Sequence, residues 1–219
     1  GTKLASISSL IYAAFAGGWS YFAFSTMKDE GQVALNSKVF EYLAIISFAS
    51  LVFFYPFIRP VFELLFPISY FEGLVVIPYL YLSPLLLMLF QTVGNQFLVV
   101  KKSYLSTVSL GLGALLNVVL NRLLIPLWGV EGAAVATVVG YTTSVIAVCL
   151  VTSHMQLHRM SRRTLVASGL VVAYVITNRL FFFENLLWQI VLTLVVMASY
   201  VYMYRAELRM ACRRLKTRS

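Results

Sequence analysis

The chain has 219 residues, 60% of them hydrophobic and only 11% charged, against roughly 25% charged in soluble domains. A water-soluble fold this apolar could not keep its surface hydrated. The net charge of +9 lies at the ends of apolar runs, which fits membrane topology and contact with anionic headgroups rather than nucleic-acid binding.

A helix needs roughly 20 apolar residues to cross a hydrocarbon core of about 30 Å. Taken in order, the charge-free runs predict an all-α membrane protein, a polytopic bundle of about seven transmembrane helices. The runs are apolar all round and too long for tilted barrel strands.

The first predicted span is Leu4–Phe24, with small residues at Ser6, Ser9, Ala13, Gly17 and Ser20. The second is Val39–Ile58, followed by an outer connection from Arg59 to Glu72. The third, Gly73–Val100, contains Pro78 and Pro84. Proline removes a backbone donor and clashes with the preceding turn, so a kink is expected. Gln91 and Asn95 follow, four residues apart and so on one face.

The fourth span, Ser103–Leu127, carries Ser106, Gly113, Asn117 and Asn121 on one stripe, with Arg122 next to it. The fifth, Gly132–His154, carries Gly132, Ala136, Gly140 and Ser144 at four-residue spacing. Small residues on one face let a neighbouring backbone come close. The sixth and seventh are Thr164–Phe182 and Asn185–Tyr204, and a basic tail follows.

Basic residues orient the bundle. Of the 17 lysines and arginines, only Lys3, Arg59, Arg122 and Arg179 fall on one side. The opposite side is predicted to be cytoplasmic, with the C-terminus inside. Trp19, Trp128 and Trp188 lie near span ends, as interfacial anchors do. Glu63, Glu72, Glu131 and Glu184 are read as a solvated outer rim.

Amides at membrane depth need partners. Gln91, Asn95, Asn117 and Asn121 either hydrogen-bond between helices or line a polar path, and spacing alone leaves both open. Cys149 and Cys212 are too few and too far apart for a disulfide framework or metal site. His154 and His158 lack a third ligand for zinc. No metal, cofactor or catalytic group is expected. No nucleotide-binding loop is present, so a transport cycle would draw on an ion or substrate gradient.

The segment Leu110–Tyr141, LGLGALLNVVLNRLLIPLWGVEGAAVATVVGY, resembles the C-lobe signature of bacterial polysaccharide (O-antigen-type) flippases. These belong to the multidrug/oligosaccharidyl-lipid/polysaccharide exporter superfamily. An Asn-rich helix ends in Ile125-Pro126, and Gly-x-x-Gly-Ala-Ala from Gly129 opens the next helix. The opening LASISSLIYAAFAGGWSYFAFS, the FPISYFEG turn and the Lys101–Lys102 loop follow the same order. The resemblance covers roughly Lys3 to Leu150, and Arg122 departs from it where an apolar residue is expected.

It implies two helical lobes around a central cavity that opens alternately to each side. Residues 1–154 would be five helices of the second lobe. Residues 155–219 would be two additional helices and the cytoplasmic tail. The missing initiator Met and the early first span suggest a longer protein whose N-terminal lobe is the partner of this chain. The implied activity is flipping of polyprenyl-diphosphate-linked oligosaccharide repeat units across the cytoplasmic membrane, without enzymatic chemistry. Gln91, Asn95, Asn117 and Asn121 would face sugar hydroxyls, and Arg122 would sit near the outer mouth. Alternatives are a lipid-linked peptidoglycan precursor flippase, a multidrug exporter, and a membrane-embedded glycan polymerase or ligase. The last would need a large outer loop, and the Arg59–Glu72 connection is short.

Overall fold

The structure is a computed structural model that describes residues 31–207 together with Gly18, Trp19, Tyr21 and Arg209. The described residues contain helices and no strand. Five helices among them are long and apolar enough to cross a membrane. The expected first span, Leu4–Phe24, lies outside the described residues apart from Gly18, Trp19 and Tyr21.

Helix α1 is Gln32–Leu65. Its 34 residues rise about 51 Å, more than a bilayer core needs. Gly31 precedes it at φ 93°, a left-handed conformation that glycine adopts without a β-carbon clash. The helix runs beyond the expected end at Ile58, so the first part of the expected Arg59–Glu72 connection is helical. Arg59 and Glu63 pair across one turn at 2.7 Å there, both exposed, as suits a helix end in a polar layer. Phe62 stacks on Phe66 with centroids 4.6 Å apart. A 3-10 stretch, Ile68–Val76, then leads into α2, Ile77–Gly94. Pro78 falls in the first turn of α2, where its missing N–H is not needed. Pro84 lies inside α2, and Asn95, whose backbone stays right-handed (φ −61°, ψ −20°), joins α2 to a last helical turn over Gln96–Val99.

Helix α3 is Tyr104–His154, interrupted at Gly129 (φ 57°, ψ −132°). Residues 104–128 and 130–154 form two antiparallel arms, which correspond to the expected fourth and fifth spans. Only glycine takes that backbone geometry cheaply. The arms are in backbone contact: a β-carbon at Gly140 would lie 2.8 Å from the Gly113 carbonyl oxygen and 2.9 Å from Asn117 Cβ. Gly113 in turn faces Ser144 Oγ and the Gly140 carbonyl, and Gly132 faces the Leu124 carbonyl. The predicted stripe Gly132, Ala136, Gly140 and Ser144 is buried along its whole length.

The chain divides into two compact units, Gly1–Ala44 with Ile58–Met160, and Ile45–Phe57 with Ser161–Ser219. In the first, α2 packs on the α3 arms around Leu85, Leu89, Val93, Ala136 and Val148, all buried. A β-carbon at Gly94 would lie 3.1 Å from Ser106 Oγ, so the end of α2 meets the start of α3 closely.

In the second unit, α4 (Arg162–Thr177) continues into a π-helical turn, Asn178–Phe182, and is followed by α5, Leu186–Met203. Gln189 Nε2 donates to the carbonyls of Phe182 (2.8 Å) and Phe183 (3.0 Å), the former shared with the Asn185 N–H at 3.0 Å. The Tyr200 hydroxyl donates to the Ala167 carbonyl at 3.1 Å. The Tyr174 and Thr193 hydroxyls lie 2.7 Å apart. Both reach the Val52 carbonyl, at 3.2 and 3.4 Å. Pro56, four residues after Val52, has no N–H to give that carbonyl. The hydroxyls replace it, which accounts for residues 45–57 packing with α4 and α5.

Candidate functional site

The hairpin of α3 carries a polar series across its interface. Thr137 Oγ1 donates to the Ala133 carbonyl at 2.9 Å, which leaves its lone pairs free to accept. Asn117 Nδ2 donates to Thr137 Oγ1 at 3.3 Å, and Asn121 Nδ2 donates to Asn117 Oδ1 at 3.0 Å. The dipoles run head to tail from Asn121 to Ala133. An amide has two N–H donors and two acceptor lone pairs, so this series leaves Asn117 one of each.

Those groups meet a groove of about 420 Å³ between α2 and the α3 arms. Leu87, Leu110 and Val118 form apolar walls, and Asn117, Thr137 and Tyr141 supply polar atoms. Gly113, Ala114 and Gly140 also line it, so the groove exists because these positions carry almost no side chain. No charged residue lines it. Asn117 stands about 20 Å from the start of an arm about 37 Å long, which puts the groove near the middle of the arm.

The sequence-predicted residues separate here. Asn117 and Asn121 are joined, and Asn117 lines the groove. Gln91 and Asn95 are half-buried on and just after α2, outside the lining set. The Asn95 N–H bonds to the Gln91 carbonyl at 3.1 Å, the regular one-turn bond of an α-helix, so the two residues share a face although neither lines the groove. Arg122 is exposed and also outside the lining set. It lies about 100° round the helix from Asn121.

Sequence spacing missed Thr137 and Tyr141. Folding the sequence about Gly129 places residue 117 opposite 141, with 137 one turn away on the same face, so the hairpin register could have revealed both. Gln96, 1% exposed with an unpartnered Oε1, was also missed, because it lies about 100° round the helix from the 91/95 stripe.

A second polar cluster lies at the other end of the same unit. Ser37 on α1 accepts the Arg159 N–H at 2.9 Å, and its Oγ lies 3.4 Å from His158 Nδ1. The His158 ring is 2% exposed and meets Phe40 edge-on, with centroids 5.0 Å apart. Burial pushes its pKa down from 6.5 to about 4. Among the described residues no group of three or more His, Cys, Asp or Glu could hold a metal ion.

No protein-family model matches the chain, and neither a curated protein nor a solved structure does.

Proposed function

We propose that this chain is one lobe of a membrane transporter that moves lipid-linked oligosaccharide repeat units across the bacterial cytoplasmic membrane, with its C-terminus in the cytoplasm. The observation that carries this reading is the amide and hydroxyl series that ends in an uncharged, side-open groove at mid-arm. A polar head cannot cross hydrocarbon without hydrogen-bonding groups along its way. Amides and hydroxyls suit sugars because they both donate and accept. The lipid tail can stay in the bilayer when the path is open sideways. A groove without a carboxylate favours a hydroxylated cargo over a cationic drug. The chain acts on the cargo without bond chemistry, alongside a further lobe of the same transporter.

The test is flipping of a fluorescent polyprenyl-diphosphate oligosaccharide in proteoliposomes holding the full-length transporter, with membrane abundance measured in parallel. Ala114→Trp fills the groove from its exposed wall, and Asn117→Leu keeps bulk while removing hydrogen bonds. Both should cut transport at least tenfold at normal abundance. Val119→Trp, outside the lining set, should transport normally. Arg122→Ala should fail and Arg122→Lys partly succeed if the guanidinium attracts the diphosphate. Full transport by both Ala114→Trp and Asn117→Leu would remove the groove from the path.

A further inference from the structure

We infer that His158 is a buried proton-acceptor site whose protonation frees the segment Met155–Met160 from α1. This inference is independent of the transport reading.

Proton bookkeeping around Ser37 fixes the ring. The Ser37 hydroxyl has one proton, and it goes to the Val33 carbonyl at 2.7 Å. Its oxygen must therefore accept from its other two neighbours. One is the Arg159 N–H and the other is His158 Nδ1. So His158 carries its proton on Nδ1, and Nε2 is a bare lone pair. That Nε2 is buried and without a hydrogen-bond partner. Nearby on α1, one turn before Phe40, Asn36 is 3% exposed with both amide atoms unpartnered. Buried polar atoms of this kind are few in folded proteins, and each calls for an explanation.

Among the described residues no ionisable group contributes to the ring's environment. Ser37 and Phe40, which touch it, and Asn36 beside them are uncharged. Of the charged or titratable side chains on the two segments, Lys38, His154 and Arg159 are exposed and Glu41 is half-buried. Burial alone holds the ring neutral. Solvent supplies the proton to Nε2, Nδ1 keeps its own, and the resulting imidazolium cannot stay where no acceptor lies within hydrogen-bond reach of its second N–H. His158 Nδ1 and the Arg159 N–H, on adjacent residues, meet one Ser37 oxygen, so a ring that leaves its place beside Phe40 draws the Arg159 N–H away from the same oxygen.

The sign follows from linkage. The closed form binds the proton weakly and the open form binds it with the ordinary histidine pKa. The closed form is therefore favoured above pH 6.5 and loses ground as pH falls from 6.5 towards 4. The ceiling on the shift is about 300-fold, and about tenfold is reached at pH 5.5.

The chain has two histidines, so ¹⁵N-histidine NMR of the full chain in detergent resolves both. His158→Phe, which keeps an aromatic ring, assigns the signals. His158 should show a protonated Nδ1 and a bare Nε2 at pH 7.5. A spin label at Met160→Cys, in a Cys212→Ser background, reads the segment. Its mobile fraction should rise about tenfold from pH 7.5 to pH 5.5 in the parent and stay flat in His158→Phe. Ser37→Ala should be mobile at both pH values. An Nε2-protonated ring, an unchanged mobile fraction in the parent, the same pH response in His158→Phe, or a Ser37→Ala segment as immobile as the parent would each overturn the inference.

Discussion

Removing the Tyr174 and Thr193 hydroxyls tests whether Pro56 is the reason they are there. Two hydroxyls share two protons: one donates to the Val52 carbonyl and the other donates to the first, consistent with separations of 3.2, 3.4 and 2.7 Å. In Tyr174→Phe the ring is kept, including its edge contact with Tyr55 at 5.4 Å, and Thr193 still reaches the carbonyl. The cost should be about 1 kcal/mol, the net worth of one such bond. Adding Thr193→Val strands a buried carbonyl, and the total should reach about 2–3 kcal/mol. Pro56→Ala returns an N–H four residues after Val52, so in that background the double substitution should cost about 1 kcal/mol less. Reversible unfolding in mixed micelles, followed by helical circular dichroism, measures all four corners of the cycle. An equal cost in both backgrounds would refute the link between the proline and the hydroxyls.

Two further substitutions probe the backbone, one in each unit. Gly140→Ala puts a β-carbon 2.8 Å from the Gly113 carbonyl oxygen, so it should force the α3 arms apart and lower the monodisperse yield in size-exclusion chromatography. Gly169→Ala meets nothing within 4 Å and should raise stability by roughly 0.5–1 kcal/mol through helix propensity. Lys101 and Gln156 both sit at positive φ, 57° and 58°, each ending a helix. Lys102 N bonds to the Phe97 carbonyl and Leu157 N to the Thr152 carbonyl, both at 2.8 Å, the six-to-one bond of a Schellman end. Lys101→Gly and Gln156→Gly should each stabilise by about 1 kcal/mol, read as a rise in thermal midpoint.

Where the spans lie was legible because burial in lipid demands long uncharged runs, and α1, α2, both α3 arms, α4 and α5 all fall where such runs were read. Their ends were not, since hydropathy stops where charge begins but a helix need not. Arg59 and Glu63 ended the second predicted span, yet across one helical turn they pair with each other and extend it. Pro78 and Pro84 looked alike as breakers, but Pro78 occupies the first turn of α2, where no donor is missed, and Pro84 lies inside the helix.

The candidate site divides along the same line. Spacing on one helix placed Asn117 with Asn121 correctly, because a four-residue interval is a local property of the α-helix. It could not place Thr137 against Asn117, because that contact depends on where the hairpin turns. Gly129 sets the turn, and the small residues at 113 and 140 set how closely the arms approach. One choice of residue therefore does two things at once. With almost no side chain at Gly113, Ala114 and Gly140, the arms can touch and the Asn117–Thr137 bond can form, and the same lack of bulk leaves the groove beside it open. A larger residue at Gly140 would lose both, whereas a larger residue at the exposed Ala114 would lose only the groove. That difference separates the packing role of the stripe from any role in carrying a substrate.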